Sequence, residues 1–291
     1  MPLSTRWRTA AIATGTSYDA AALQSAAVLI KHYSTSFGWA TRLLHEPVRT
    51  HVRSIYALVR VADELVDDDT HPWDRDRRAE LVDGLHAETL RALEHGGSAN
   101  LVVHAFALTA VEHGVGRDLI DPFFDSMRAD LSVRFHDAQS LDTYVYGSAE
   151  VVGLMCLRVF VDGDAVRFAE LSPGARRLGA SFQKINFLRD LHADQALLGR
   201  TYFPGVNLTT FTDRERDLLL DDIDADLKVA ATAVSQLPVS SRRAVHAAHA
   251  LFAELSARLR VTPAAQIARK RVRVPDLVKA QILARSALVA R

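Results

Sequence analysis

The chain has 291 residues, 48% of them hydrophobic and 24% charged, with 35 basic and 35 acidic side chains. That is ample material for a core and too apolar for a disordered protein. The formal net charge of zero leaves no global field to gather nucleic acid or another polyanion, so any anionic ligand must be met by local groups.

A single cysteine, Cys156 in the run "VVGLMCL", excludes an internal disulfide and a thiolate metal cluster and is expected to fill the core. The first residues lack an apolar segment long enough for a signal peptide. No stretch approaches the roughly 20 apolar residues that span a bilayer, so a cytoplasmic protein is expected. Proline is scarce, and the segments between breakers carry helical rather than alternating periodicity. Helices are expected at 17–32, 36–44, 47–68, 75–93, 99–114, 117–129, 139–160, 164–170, 174–192, 213–235, 240–259 and 275–288. Pro47 is placed to start the third of these, "EHGGSAN" and "LSPGARR" to interrupt the pattern, and "LGRTYFPGVNLTTFTD" to form the longest irregular piece. No valine-rich run between turn signals suggests a sheet. The class is all-α, and one domain over 1–291 is the simplest organisation.

Two helical segments carry acidic residues at a spacing of four. In "INFLRDLHAD", Asn186, Asp190 and Asp194 form one row with Arg189 beside it and Gln183 a turn earlier; in "YALVRVADELVDDD", Arg60, Asp63 and Asp67 repeat the arrangement. Aspartates four apart repel one another on an isolated helix. A protein tolerates that repulsion most readily when divalent cations bridge the carboxylates, and Mg²⁺ suits such a role because it takes oxygen ligands and often shares its shell with substrate phosphates. Two such rows facing each other inside a helical bundle would frame an apolar cavity with metal-binding carboxylates around it. Its natural guest has a diphosphate head and a long hydrocarbon tail, with the metal neutralising the leaving diphosphate and the dry walls sheltering a carbocation. The loop at 199–212 follows the second row directly and is placed to cover the site. A solvated acidic face is the bland alternative, more so for "ADELVDDD", which ends in a polar turn.

The chain resembles the squalene and phytoene synthase family, which joins prenyl diphosphates head to head. The resemblance rests on "YSTSFGWATRLL", "IYALVRVADELVDD", "YVYGSAEVVGLMCLRVF" and "FQKINFLRDLHADQALLGRTYFPG", in family order over roughly residues 20–290. It implies an all-α isoprenoid synthase fold around a central cavity. It also implies that Asp63, Asp67, Asp190 and Asp194 hold the metal, with Asn186 joining them, and that Tyr144 lies beside the substrate. Ser34, Ser36, Arg60, Gln183, Asn186 and Arg189 match positions that meet diphosphate or hold the metal-bound arrangement. Arg200 and Arg271 are added as candidate diphosphate contacts. Thr35 stands where many members carry a positive charge, and Lys31, His32 or Arg42 are candidates to compensate.

"GSAEVVG" and "FQKINFLRDL" are similar to a bacterial carotenoid branch, which favours phytoene formation from two molecules of geranylgeranyl diphosphate. The expected cofactor is Mg²⁺, with Mn²⁺ able to substitute, and no NADPH. A squalene-type enzyme on farnesyl diphosphate is the nearest alternative; a non-catalytic helical interaction protein is a remote one. Peripheral contact with the inner face of the cell membrane, and handover of product to a carotenoid desaturase, go with the first reading.

Other residues invite weaker readings. Lys184 and Tyr202 are candidates for the site's edge, while the basic run at 268–275 reads mainly as solvated surface. Gly147 and Gly153 suit close helix contact. The histidines show no metal-ligand spacing, and His192 is expected on the surface.

Overall fold

The computed structural model describes residues 16–33, 36–68, 70–196 and 199–288, without the side chains at 36, 37, 195 and 196. Ser34 and Thr35, and the side chain of Ser36, therefore lie outside the described residues. The elements are α1 (Ser17–Tyr33), α2 (Ser36–Thr41), α3 (Val48–Asp67), α4 (Arg75–His95), α5 (Leu101–His113), α6 (Arg117–Ser132), α7 (Ala138–Val145), a π-helical turn (Tyr146–Glu150), α8 (Val151–Phe160), α9 (Ala165–Ala196), α10 (Asp213–Ser235), α11 (Val239–Val261), α12 (Ala264–Ile267) and α13 (Asp276–Leu288). Among the described residues the only extended pairing is an isolated bridge between Phe135 and Thr201, so the protein is all-α.

Local chemistry sets many of the boundaries. Asn100 caps α5 by accepting from the backbone N–H groups of Val102 and Val103, and reciprocal capping boxes open α7 (Asp137 with Ser140) and α10 (Thr212 with Glu215). Gly96 and Gly114 close α4 and α5 in the left-handed conformation that glycine adopts without penalty.

The expected helix at 139–160 is broken by the π turn, and the expected break at Pro173 is absent because α9 runs through it. Proline removes one N–H bond from a helix interior, normally a cost of about 3 kcal/mol. Here packing holds the helix: a Cβ on Gly174 would stand 2.2 Å from the Cβ of Ala233, so α10 lies directly against that turn. A Cβ on Gly147 would meet the carbonyl oxygen of Pro122 at 2.2 Å. The glycine thus lets the π turn press onto α6.

Two apolar clusters result. The first gathers Ile55, Leu58, Phe106, Phe123, Phe124 and Leu157 from α3, α5, α6 and α8. The second gathers Ile185, Leu188, Leu220, Ile223 and Leu259 from α9, α10 and α11, with Tyr202 and Phe203 from the loop after α9. No helix among the described residues is long and apolar enough to cross a membrane.

Candidate active site at a carboxylate-lined cavity mouth

An apolar cavity of about 250 Å³ lies between the two clusters. Val52 and Val59 of α3, Leu157 and Phe160 of α8, and Leu178 and Phe182 of α9 are among its walls. On both α3 and α9 the aspartates come after the wall residues. At a rise of 1.5 Å per residue, Val59 to Asp67 and Phe182 to Asp190 each span about 12 Å. Both helices therefore run from an apolar chamber to an acidic end. Cys156 lines this chamber instead of filling solid core, and burial pushes its thiol up to about 12.

At the acidic end the two rows are linked through Arg200. Its Nη1 donates to Asp67 Oδ1 at 2.7 Å and stands 3.6 Å from Asp130 Oδ1, and its backbone N–H donates to the carbonyl of Asp194. Arg200 is buried, which alone would disfavour its charge, but Asp130 and Asp67 raise its pKa. Thr201 donates its N–H to the Arg134 carbonyl and accepts from the His136 N–H, forming the isolated bridge opposite Phe135, so the loop is fastened by its backbone. Tyr202 lies flat on Phe187, ring centroids 3.9 Å apart, and both Tyr202 and Phe203 are buried.

Asp130, on α6, is a residue that the sequence reading missed. It is 7% exposed, accepts from the Tyr144 hydroxyl at 2.8 and 2.9 Å, and lies 3.4 Å from the Tyr202 hydroxyl. Burial pushes it up to about 7 against the lowering pull of Arg200. The available signal was its register: Phe123, Met127 and Asp130 share one helical face, so a carboxylate occupies a core position. Tyr144 is buried beside it, and burial followed by the charge of Asp130 holds its phenol well above the usual range.

The remaining candidates divide. Arg60 pairs with Asp63 at 2.7 Å and with Glu64, and its guanidinium stands over the Tyr33 ring. Arg189 and Arg271 converge on Asp190, the latter at 2.8 Å. Together with Arg273 and Lys279 they line a basic recess of about 330 Å³, while Arg271 and Arg273 stay exposed, as the solvated-surface reading of the 268–275 run expects. Gln183 is half-buried on α9. Lys184 turns away to Asp222 and Asp226 of α10, and His192 is exposed. Ser148 Oγ, in the π turn, faces the chamber without a hydrogen-bond partner.

The oxygen donors fit a hard divalent cation. Asn186 Oδ1 is buried with no partner. Burial, then the charge of Asp67, pushes Asp63 up to about 6; burial, then the charge of Asp190, pushes Asp194 up to about 7. Crowded carboxylates beside an orphaned amide oxygen are what a magnesium ion would relieve. The aspartates do not themselves close into a triad. Among the described residues, the group that brings three His, Cys, Asp or Glu ligand atoms within 4.8 Å of one another is His51, Glu112 and His113. The expectation that the histidines form no metal-ligand pattern is corrected here: their spacing in sequence hid a meeting between two helices.

The profile of the squalene/phytoene synthase family matches residues 30–277, and the chain belongs to that family. It is 28% identical over 205 residues to a 4,4'-diapophytoene synthase of Staphylococcus haemolyticus, a match covering 67% of this chain and 68% of that protein. It is 32% identical over 182 residues to a 15-cis-phytoene synthase of Paracoccus sp., covering 59% of this chain but only 56% of that one. A dehydrosqualene synthase structure superimposes with a TM-score of 0.79 at 20% identity, covering 92% of this chain and 96% of the other, which shows the isoprenoid-synthase fold.

Proposed function

We propose that this chain joins two allylic prenyl diphosphates head to head, and that its preferred substrate is farnesyl diphosphate. The observation that carries the reading is that α3 and α9, which wall an apolar chamber, each carry arginine-paired aspartates about two turns further along. A diphosphate head and a hydrocarbon tail demand that division. Bound Mg²⁺, held by Asp63, Asp67, Asn186, Asp190 and Asp194, would stabilise the departing diphosphate.

The chain's own side chains do the rest. Arg189, Arg271 and Arg60, with Gln183, supply cationic and polar groups for the diphosphates; Ser34 and Ser36 are retained as candidates on resemblance alone. Arg200, held by Asp67 and Asp130, closes the mouth with Tyr202 and excludes water from the cation. Tyr144 keeps its proton and, anchored on Asp130, is the aromatic side chain that the resemblance sets beside the substrate. Loss of the first diphosphate leaves an allylic cation that the second molecule's double bond attacks, with one proton lost to give a cyclopropylcarbinyl diphosphate. Loss of the second diphosphate, rearrangement and loss of another proton complete a hydrocarbon without a hydride donor.

The motifs alone favoured geranylgeranyl diphosphate and phytoene. One comparison supports the shorter chain. The 4,4'-diapophytoene synthase, matched over 67% of this chain and 68% of its own length, has a product name that denotes phytoene shortened at both ends, as two C15 units give. Contact with a membrane surface, where such products collect, goes with this reading.

The test is to supply purified protein and Mg²⁺ with each substrate separately and no nicotinamide. A C30 hydrocarbon from farnesyl diphosphate, formed faster than a C40 product from geranylgeranyl diphosphate, is expected. Faster phytoene formation would return the assignment to the longer chain. Accumulation of the cyclopropyl diphosphate until NADPH is added would replace proton loss with hydride transfer.

A further inference from the structure

At the opposite end of α3 from its aspartates, two buried histidines point unpaired nitrogens at one carboxylate. His51 and His113 are 4% and 5% exposed, and their Nε2 atoms have no hydrogen-bond partner. They stand 3.5 Å and 4.0 Å from the two oxygens of Glu112, and the imidazole rings are nearly perpendicular with centroids 4.5 Å apart. We propose that His51, Glu112 and His113 form a second divalent-metal site, of the Zn²⁺ class, that clamps the start of α3 to the end of α5.

The donor set supports this. Two imidazoles and one carboxylate suit zinc and its neighbours, whereas Mg²⁺ prefers oxygen alone. Zinc ligands about 2.0–2.1 Å from a tetrahedral centre lie roughly 3.3 Å from each other; the three ligand atoms here lie within 4.8 Å of one another, so the side chains would draw together on the ion. On its other side His51 Nδ1 is 3.0 Å from the Thr109 hydroxyl, a contact that fixes which nitrogen faces the metal. The Asp162 carboxylate lies 3.5 Å from His113 Nδ1 without a hydrogen bond. Burial, then neighbouring His113, pushes His51 down to about 4, and burial lowers His113 as well, so both are neutral and able to ligate.

The site is distinct from the aspartates. His51 precedes Asp63 by 12 residues of α3, about 18 Å along the axis. His51 adjoins Val52, a wall of the chamber, and Asp162 lies in the turn that follows α8. A metal here would pin the far end of the chamber, where α3, α5 and the α8 turn meet.

The test uses the full chain stripped with chelator and titrated with Co²⁺ in excess Mg²⁺, which occupies oxygen sites. One equivalent should give the intense visible bands of four-coordinate, nitrogen-ligated Co²⁺, and Zn²⁺ should abolish them while raising the thermal midpoint. Glu112→Gln, at a partly exposed position, should fold with an unchanged circular dichroism spectrum and weaken binding at least tenfold. His113→Gln should remove the bands, and Asp190→Asn should keep them. Absence of bands in the unaltered chain, equal bands in folded Glu112→Gln, or loss of the bands in Asp190→Asn would each overturn the proposal.

Discussion

The two ends of the central cavity use the same helices and opposite side-chain choices. Toward the C-termini of α3 and α9 stand Asp63, Asp67, Asp190 and Asp194 with Arg60, Arg189, Arg200 and Arg271 around them; toward the N-termini stand Val52, Val59, Leu171 and Leu178. At the mouth, position matters because charge acts at specific atoms. In the chamber only shape and volume matter, since hydrophobic burial is non-directional. Chemistry should therefore be destroyed at one end and chain-length preference altered at the other, with little crossover.

The largest effect is expected at the mouth. Asp67→Asn and Asp190→Asn should each keep the helical circular dichroism spectrum and lower turnover at least about a hundredfold, as when several kcal/mol of transition-state charge stabilisation is lost. The ratio of C15 to C20 use should not move. Near-normal turnover in both folded variants would remove the metal assignment, and a changed ratio would break the separation between the ends.

Asp130→Asn comes next. The substitution keeps the shape but weakens the charge-assisted bond from Tyr144, worth about 1.5–3 kcal/mol when intact, and removes the ion-pair attraction to Arg200 at 3.6 Å. Turnover should fall about tenfold or more, with KM for the diphosphate changed less than kcat. An equal rise in KM with unchanged kcat would instead make Asp130 part of ground-state binding.

At the chamber end, Phe160→Ala is the sharper probe. Phe160 closes α8 beside Leu171, at the end of the cavity remote from Asp190, and is only partly buried. Removing its ring should raise geranylgeranyl over farnesyl use several-fold, within the range of about 1–3 kcal/mol that even one methylene can command. Turnover on the better substrate should stay within about threefold, since no mouth residue is touched. Steady-state rates on both substrates check this; an unchanged ratio would place the floor elsewhere.

How much of this was legible in the sequence follows the same division. The acidic rows were legible because helical spacing alone aligns Asp63 with Asp67 and Asp190 with Asp194. Their facing each other was expected too, but the tie between them was not legible, because it depends on Arg200 reaching Asp67 from a loop. Asp130 was hidden as one of four aspartates on α6, none of them in a motif, and His51 and His113 were hidden because they stand on different helices far apart in sequence. The run through Pro173 was misread because local propensity opposes it, while the contact of Gly174 with Ala233 is tertiary. The π turn likewise follows from the close approach of Gly147 to Pro122. The chamber volume depends on how α8 and α9 approach, and that is not a property of either segment alone.

The smallest effect, and the one that compares the ends without mutating either, is the pH dependence of stability. In the metal-free fold Asp63 and Asp194 hold their protons up to about 6 and about 7, whereas unfolded aspartates ionise near about 3.9. Between those values the folded state binds more protons than the unfolded one, so stability conferred at low pH is lost as pH rises through about 7. Mg²⁺ bound to the ionised folded site offsets that loss, since a ligand that binds only the folded state stabilises it by mass action. The metal-free thermal midpoint should drop by a few degrees across this window, and excess Mg²⁺ should raise it more above pH 7 than below pH 5. Asp194→Asn should flatten the metal-free slope, because one crowded carboxylate no longer ionises, while Phe160→Ala should lower the midpoint equally at every pH. Scanning calorimetry across the window reads both. A Mg²⁺ effect of equal size at both pH extremes would mean that the carboxylates of the mouth are not the ions' ligands, even if the fold and the chamber behave as described.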